Sequence, residues 1–87
     1  MICIRKVTQT TWIGLSQWEA YTVDGRPVYV KYKYGELEVW IGPVGGSIDD
    51  ALATAPAYRD SVGEKMGSML DWEEVMAATG ITMAEAV

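Results

Sequence analysis

The strongest constraint on the fold is the stretch from Trp18 to Gly42, in which two turn dipeptides separate three short runs of strand-forming residues. Asp24-Gly25 favours a two-residue type I′ hairpin turn, because both positions tolerate a positive φ. Gly35-Glu36 provides a second tight turn, and Gly42-Pro43 ends the last run. The stretch therefore predicts a three-stranded antiparallel meander with strands over 18–23, 26–34 and 37–41.

The predicted turns also assign each side chain to one face of the sheet, because the register fixes which residues lie opposite one another. One face is apolar and is expected to form the core: Val30, Tyr32, Tyr34, Leu37, Val39 and Ile41. On the other face, Lys33 is expected opposite Glu38, and Trp18 opposite Lys31. This second face would expose a cluster of large aromatic side chains, which is a candidate contact surface: Trp18, Tyr29 and Trp40.

The remaining elements are predicted from caps and periodicity. Ile2–Thr8 is expected to form an edge-type strand. Capping-box patterns begin one helix over Ser47–Ala55 and a second over Asp71–Gly80. Thr82 and Glu85 predict a final helical turn, and Tyr58–Leu70 is compatible with one helix or with two.

Together these elements predict one α+β domain over residues 1–87. Its residues 1–42 are expected to form an antiparallel meander of three to four strands, and residues 43–87 an acidic part of two or three short helices packed on one face. Hydrophobic residues make up 49% of the chain, which excludes compositional disorder. The chain has no run of eighteen apolar residues and no signal-peptide pattern, so we expect a cytoplasmic protein that makes no membrane contact.

The charge is unevenly distributed. The net charge is −5; residues 1–42 carry five basic and four acidic side chains, and residues 43–87 carry two basic and eight acidic ones. A nucleic-acid backbone would be repelled by the second half, so direct nucleic-acid binding is not expected. We expect instead a protein partner with a basic surface, bound by four acids of this half: Asp49, Asp50, Asp60 and Glu64.

The chain offers few groups for catalysis or metal binding. It contains no histidine, and its single cysteine, Cys3, is expected to be buried in the first strand. The adjacent carboxylates Asp49-Asp50 and Glu73-Glu74 fall in the first turns of predicted helices, where acids stabilise the helix dipole. We therefore predict that the protein is not an enzyme and that it binds no cofactor and no metal. The remaining enzymatic alternative is an active site built from carboxylates alone.

The block from Asp24 to Gly46 reads DGRPVYVKYKYGELEVWIGPVGG. It resembles the pattern DGR-x-VYV-x-Y-x-YG-x-L-x-V of small uncharacterised α+β proteins from bacterial and prophage genomes, in which a meander precedes a Gly-rich loop and an acidic helix. In size and acidity the chain is also similar to phage-encoded anti-CRISPR inhibitors, which bind CRISPR effector proteins and often occlude their basic nucleic-acid channels. Those inhibitors share no signature residues, so the resemblance assigns no positions here.

Two functions follow as expectations. The first is a non-enzymatic protein-binding module, an inhibitor from a phage or mobile element, whose acidic helices engage a basic, nucleic-acid-handling host protein such as a CRISPR effector subunit. In that case the protein would act in the host cytoplasm. The alternative is a homodimeric self-association module that uses the aromatic face of the sheet.

Overall fold

The computed structural model describes residues 2–11, 15–62 and 70–84. Its elements are β1 (Cys3–Thr11), β2 (Ser16–Thr22), β3 (Pro27–Lys33), β4 (Glu36–Ile41), α1 (Ile48–Leu52), β5 (Tyr58–Ser61), α2 (Trp72–Thr79) and β6 (Thr82–Met83). The strands form one curled sheet in the order β5-β4-β3-β2-β1-β6, antiparallel except for the β1–β6 pair. The α+β class and the N-terminal meander are confirmed, whereas the sheet has more strands than expected.

The second hairpin turns one residue earlier than predicted. Tyr34 and Gly35 have φ values of 52° and 74°, the pattern of a type I′ turn, and Lys33 pairs with Glu36. The register consequently differs from the predicted one by two residues, and a shift of two keeps the strand residues on their predicted faces. Tyr34 itself was expected in the core but lies in the turn, where it is 59% exposed.

The first hairpin has a three-residue loop, so the predicted two-residue turn is wrong. Thr22 N–H donates to the Arg26 carbonyl at 3.0 Å, Gly25 N–H donates to the Thr22 carbonyl at 3.1 Å, and Gly25 has a φ of 85°. The extra residue moves β2 by one position relative to β3, which turns every β2 side chain to the opposite face. Trp18 therefore lies opposite Val30 and points into the core.

The core lies on the face of the sheet that α2 covers. The buried cluster is Ile4, Trp18, Ala20, Val28, Val30, Tyr32, Leu37, Val39, Leu70, Val75 and Ile81. Trp72 of α2 contacts Trp18 with ring centroids 5.9 Å apart. As predicted, α2 begins at the capping box of Asp71 and Glu74 and ends at Gly80, whose φ of 79° is the left-handed value that glycine adopts freely.

The shorter helix, α1, packs on the opposite face, so the expectation that the helices share one face is wrong. It begins at the predicted Ser47 capping box but ends at Leu52. Gly42 N–H donates to the Pro27 carbonyl at 2.9 Å, and a Cβ on Gly42 would lie 3.0 Å from the Ala51 backbone. Since Ile41 points into the core, Gly42 faces the other way, and α1 lies on that side. The absence of a side chain at Gly42 permits this close approach.

Two further expectations are corrected within residues 58–84. The segment expected to be helical from Tyr58 begins with strand β5, and residues 63–69 lie outside the described residues. Thr82 begins strand β6 instead of a helical turn, because its N–H donates to the Ile2 carbonyl at 3.0 Å across the sheet.

Cys3, expected to be buried, is half-buried. Neither described helix has the length and apolarity to cross a membrane.

Candidate functional site

The sheet face opposite α2 is lined by aromatic and charged side chains, and we call it the open face. Because side chains alternate along each strand, it receives the residues between the core positions of β2, β3, β4 and β5. Its central members are Glu19, Tyr29, Lys31, Glu38, Trp40 and Arg59. They form two rows that run across the strands.

The first row, the aromatic row, consists of Glu19, Tyr29 and Trp40, which lie directly opposite one another on β2, β3 and β4. The two rings are half-buried, with centroids 5.5 Å apart and planes inclined by 55°. Burial, and secondarily the negative charge of Glu19, raises the pKa of the Tyr29 phenol. Glu19 is exposed and makes no ion pair with any residue in the described ranges.

The second row is a chain of ion pairs. Glu38 Oε1 lies 3.7 Å from Lys31 Nζ, and Glu38 Oε2 lies 2.6 Å from Arg59 Nη2. Arg59 Nε also lies 3.0 Å from Glu36 Oε1, and its hydrogen bond to Glu38 is the main cause that raises the pKa of the guanidinium. Glu38 is only 8% exposed, so these cations satisfy a carboxylate that burial would otherwise destabilise. The pair that was expected from Lys33 is made by Lys31.

Two of the four predicted acids border the aromatic row. Asp49 and Asp50 are exposed in the first turn of α1, and Asp50 Oδ2 accepts from the Ser47 N–H at 2.8 Å. Because α1 covers Pro27 and Gly42, it lies two residues, or about 7 Å, along the strands from Tyr29 and Trp40. The acidic helix and the aromatic row thus belong to the same side of the molecule.

Of the other two predicted acids, Asp60 is not part of that surface. Asp60 lies on β5 opposite Leu37, at the far end of β4 from α1. Its Oδ1 accepts from the Ser61 N–H at 2.8 Å, and its Oδ2 lies 3.4 Å from the Tyr58 hydroxyl oxygen. Burial first, and then Asp60, raises the pKa of that hydroxyl. Glu64 lies outside the described residues.

Trp18 is the predicted contact residue that the structure removes from the surface. It is 1% exposed and belongs to the core, so two aromatic side chains of the expected three, both half-buried, remain on the open face. Glu19 takes its place on the open face and was missed. The signal that identifies it is the polarity of β2, where Gln17 and Glu19 alternate with Trp18 and Ala20.

The described residues contain no group of three or more His, Cys, Asp or Glu side chains arranged to hold a metal ion. Ile2 lines two cavities of about 260 Å³ each. One is lined mainly by aliphatic groups beside Tyr58 and Thr79, whose hydroxyls already donate to the carbonyls of Ala78 and Val75. This arrangement can enclose a small apolar group but contributes no reactive one.

No protein-family model, curated protein or solved structure matches this chain.

Proposed function

We propose that the protein is a non-enzymatic binding module that engages a basic surface of a partner protein through α1 and the open face. The observation that supports this proposal is the position of α1, which brings Asp49 and Asp50 to the same side as Tyr29 and Trp40. Aromatic side chains surrounded by charged ones are the usual composition of an interface centre and its rim.

The charge of the described residues supports a basic partner. Among residues 43–62 and 70–84, Arg59 is the one basic side chain, and it pairs with Glu36 and Glu38 of the sheet. The acids of α1 and α2 therefore keep their charge uncompensated by any base in these ranges. Such a surface accelerates encounter with a positively charged partner and makes the association sensitive to salt.

The finer part of the proposal concerns the class of partner. The net charge of −5 and the small size suit an inhibitor that covers the basic channel of a nucleic-acid-handling protein. The resemblance to anti-CRISPR inhibitors suggests a CRISPR effector subunit of the host as that partner. The protein would then come from a phage or mobile element and act in the host cytoplasm.

A matched pair of charge reversals tests this proposal. Asp49 and Glu73 are each the second residue of a helix, both are exposed, and neither makes a cap hydrogen bond, but they lie on opposite faces of the sheet. We expect wild-type protein to protect a phage from CRISPR interference in cells, Asp49→Lys to lose that protection, and Glu73→Lys to keep it. Binding of the purified effector should weaken with salt, and less steeply for Asp49→Lys.

Two results would contradict the proposal. Full protection by Asp49→Lys would exclude α1 as the contact surface. A lack of protection by the wild-type protein across the known types of CRISPR system would exclude this class of partner.

Homodimerisation through the open face is the second candidate, because Tyr29 and Trp40 remain half-exposed there. Mass measurement over a dilution series distinguishes it. A dimer that dissociates on dilution and is abolished by Trp40→Ala would support self-association, whereas a monomer at every concentration would exclude it.

A further inference from the structure

We propose that the aromatic row is a recognition site for an arginine side chain of the partner. This inference rests on the proposed function, since it names the group of the basic partner that the open face binds. Glu19, Tyr29 and Trp40 lie side by side on three adjacent strands. With neighbouring strands about 4.8 Å apart, the row spans about 10 Å, enough for a guanidinium group and part of its aliphatic stem.

The carboxylate of Glu19 is available to a cation from outside. Glu36 and Glu38, two other acids of the same face, are already paired with Arg59, and Glu38 also with Lys31. Glu19 makes no ion pair within the described ranges, and it lies beside the Tyr29 ring, whose phenol it influences electrostatically. An incoming cation can therefore pair with Glu19 without breaking an existing interaction.

The ring of Trp40 already attracts a cation within the chain. Lys31 Nζ lies 5.6 Å from the ring centroid, within the range of a cation–π contact. Glu38 lies 3.7 Å from the same ammonium and offsets its charge, which reduces its repulsion of a second cation. Tyr29, inclined to Trp40 at 55°, adds a second ring surface between Trp40 and Glu19.

These features favour arginine over lysine. A guanidinium is planar, so it can lie against the rings of Tyr29 and Trp40 while its N–H groups reach a carboxylate in a bidentate manner. An ammonium is a compact, strongly hydrated charge and makes only one of these contacts well. The row combines both requirements, with rings at one end and, at the other, a carboxylate that no described residue pairs with.

The test is a titration of the wild-type protein with a short capped arginine peptide and its lysine counterpart, followed by NMR at the Trp40 indole N–H. The resonance is assigned with Trp40→Phe. We expect a saturable shift with the arginine peptide, a weaker one with lysine, and affinity for arginine about fivefold lower in Glu19→Gln, as for loss of one exposed charge contact. Glu73→Gln, an exposed acid on the other face, is the matched control and should leave the affinity unchanged.

Three outcomes would overturn the inference: no shift of the Trp40 resonance, equal affinity for both peptides, or equal effects of Glu19→Gln and Glu73→Gln. The last two would show attraction by net charge alone. The titration involves no natural partner, so it is independent of the protection assay. Protection that depends on Asp49 without a Trp40 response would refute this inference and leave the proposed function intact. A Trp40 response without protection would support this inference and exclude a CRISPR effector as the partner.

Discussion

At the scale of single residues, Tyr29 combines the register, burial and charge of the open face. It lies between Glu19 and Trp40, and its half-buried phenol has a raised pKa, mainly because burial disfavours the phenolate and secondarily because Glu19 does. A fully solvated phenol would not show the effect of burial. Tyr29 is therefore a reporter of how much of this face is covered.

This shift predicts a loss of stability at alkaline pH. The folded-state pKa of Tyr29 is raised above the ordinary value of 10.0. The protonated phenol therefore makes its full contribution to the free energy of unfolding below pH 10.0, and this contribution is lost as pH rises through the folded-state pKa. Urea denaturation from neutral to alkaline pH should show a falling free energy of unfolding, with a smaller fall in Tyr29→Phe. An identical fall in both proteins would indicate that Tyr29 is solvated like an exposed phenol.

At the scale of elements, the outer strand β5 is protected against pairing with another strand. Its Ser61 N–H is occupied by the Asp60 carboxylate at 2.8 Å. If two copies paired antiparallel through β5 about a twofold axis, residues on the same face would oppose each other, bringing Arg59 against Arg59 or Asp60 against Asp60. Like charges directly opposite one another disfavour such pairing. Asp60, predicted as a partner contact, thus accepts a hydrogen bond from an N–H at the edge of the sheet.

Asp60→Ala should consequently promote self-association. The substitution releases the Ser61 N–H and removes one of the two like-charge contacts. Light scattering at increasing concentration should show a larger mean mass for Asp60→Ala than for wild type. Asp49→Ala removes the same charge from α1 and controls for the change in net charge; an equal increase in that variant would assign the effect to charge alone.

At the scale of the whole molecule, the sheet separates a dry face from a half-covered one, and a tryptophan on each face reports the difference. Trp18 is buried and packs against Trp72 of α2, whereas Trp40 is half-buried near α1. Two substitutions of the same residue type can therefore verify which face forms the core.

Trp18→Ala should lower the free energy of unfolding by about 3–5 kcal/mol, the usual cost of emptying a core position of this size. Trp40→Ala should cost only about 1–2 kcal/mol, from partial burial and the ring contact with Tyr29. Urea midpoints of the two variants supply the comparison. A cost at Trp18 no larger than the cost at Trp40 would instead support the register with a two-residue Asp24-Gly25 turn, which places Trp18 on the open face.

Much of the candidate site follows from local sequence, although one of its central residues does not. The side chains of β3 and β4 lie on their predicted faces of the sheet although the turn between these strands is displaced by one residue. The prediction that Tyr29 and Trp40 share the face opposite the core is therefore confirmed. The loop at Asp24-Gly25 has one residue more than predicted, which exchanged Trp18 for Glu19. Both loop lengths suit an Asp-Gly dipeptide, and the choice depends on burying Trp18, which is a tertiary effect.

The sequence by itself determined the features that depend on neighbouring residues. These are the N-terminal meander, the capping boxes at Ser47 and Asp71, the end of α2 at Gly80 and the acidity of residues 43–87. Each rests on hydrogen bonds, φ preferences or charges within a few residues of one another, so it can be predicted from composition and spacing alone.

Only the tertiary structure decided which side of the sheet each helix covers and what lies at the sheet edges. The strands β5 and β6 are stabilised by pairing with β4 and β1, from which they are distant in sequence. α1 lies on the open face because Gly42, which has no side chain, leaves space there for the Ala51 backbone. These contacts join residues that are brought together only by the complete packing of the chain. For that reason, the sequence alone did not show that the acidic helix α1 and the aromatic row lie on the same side of the sheet.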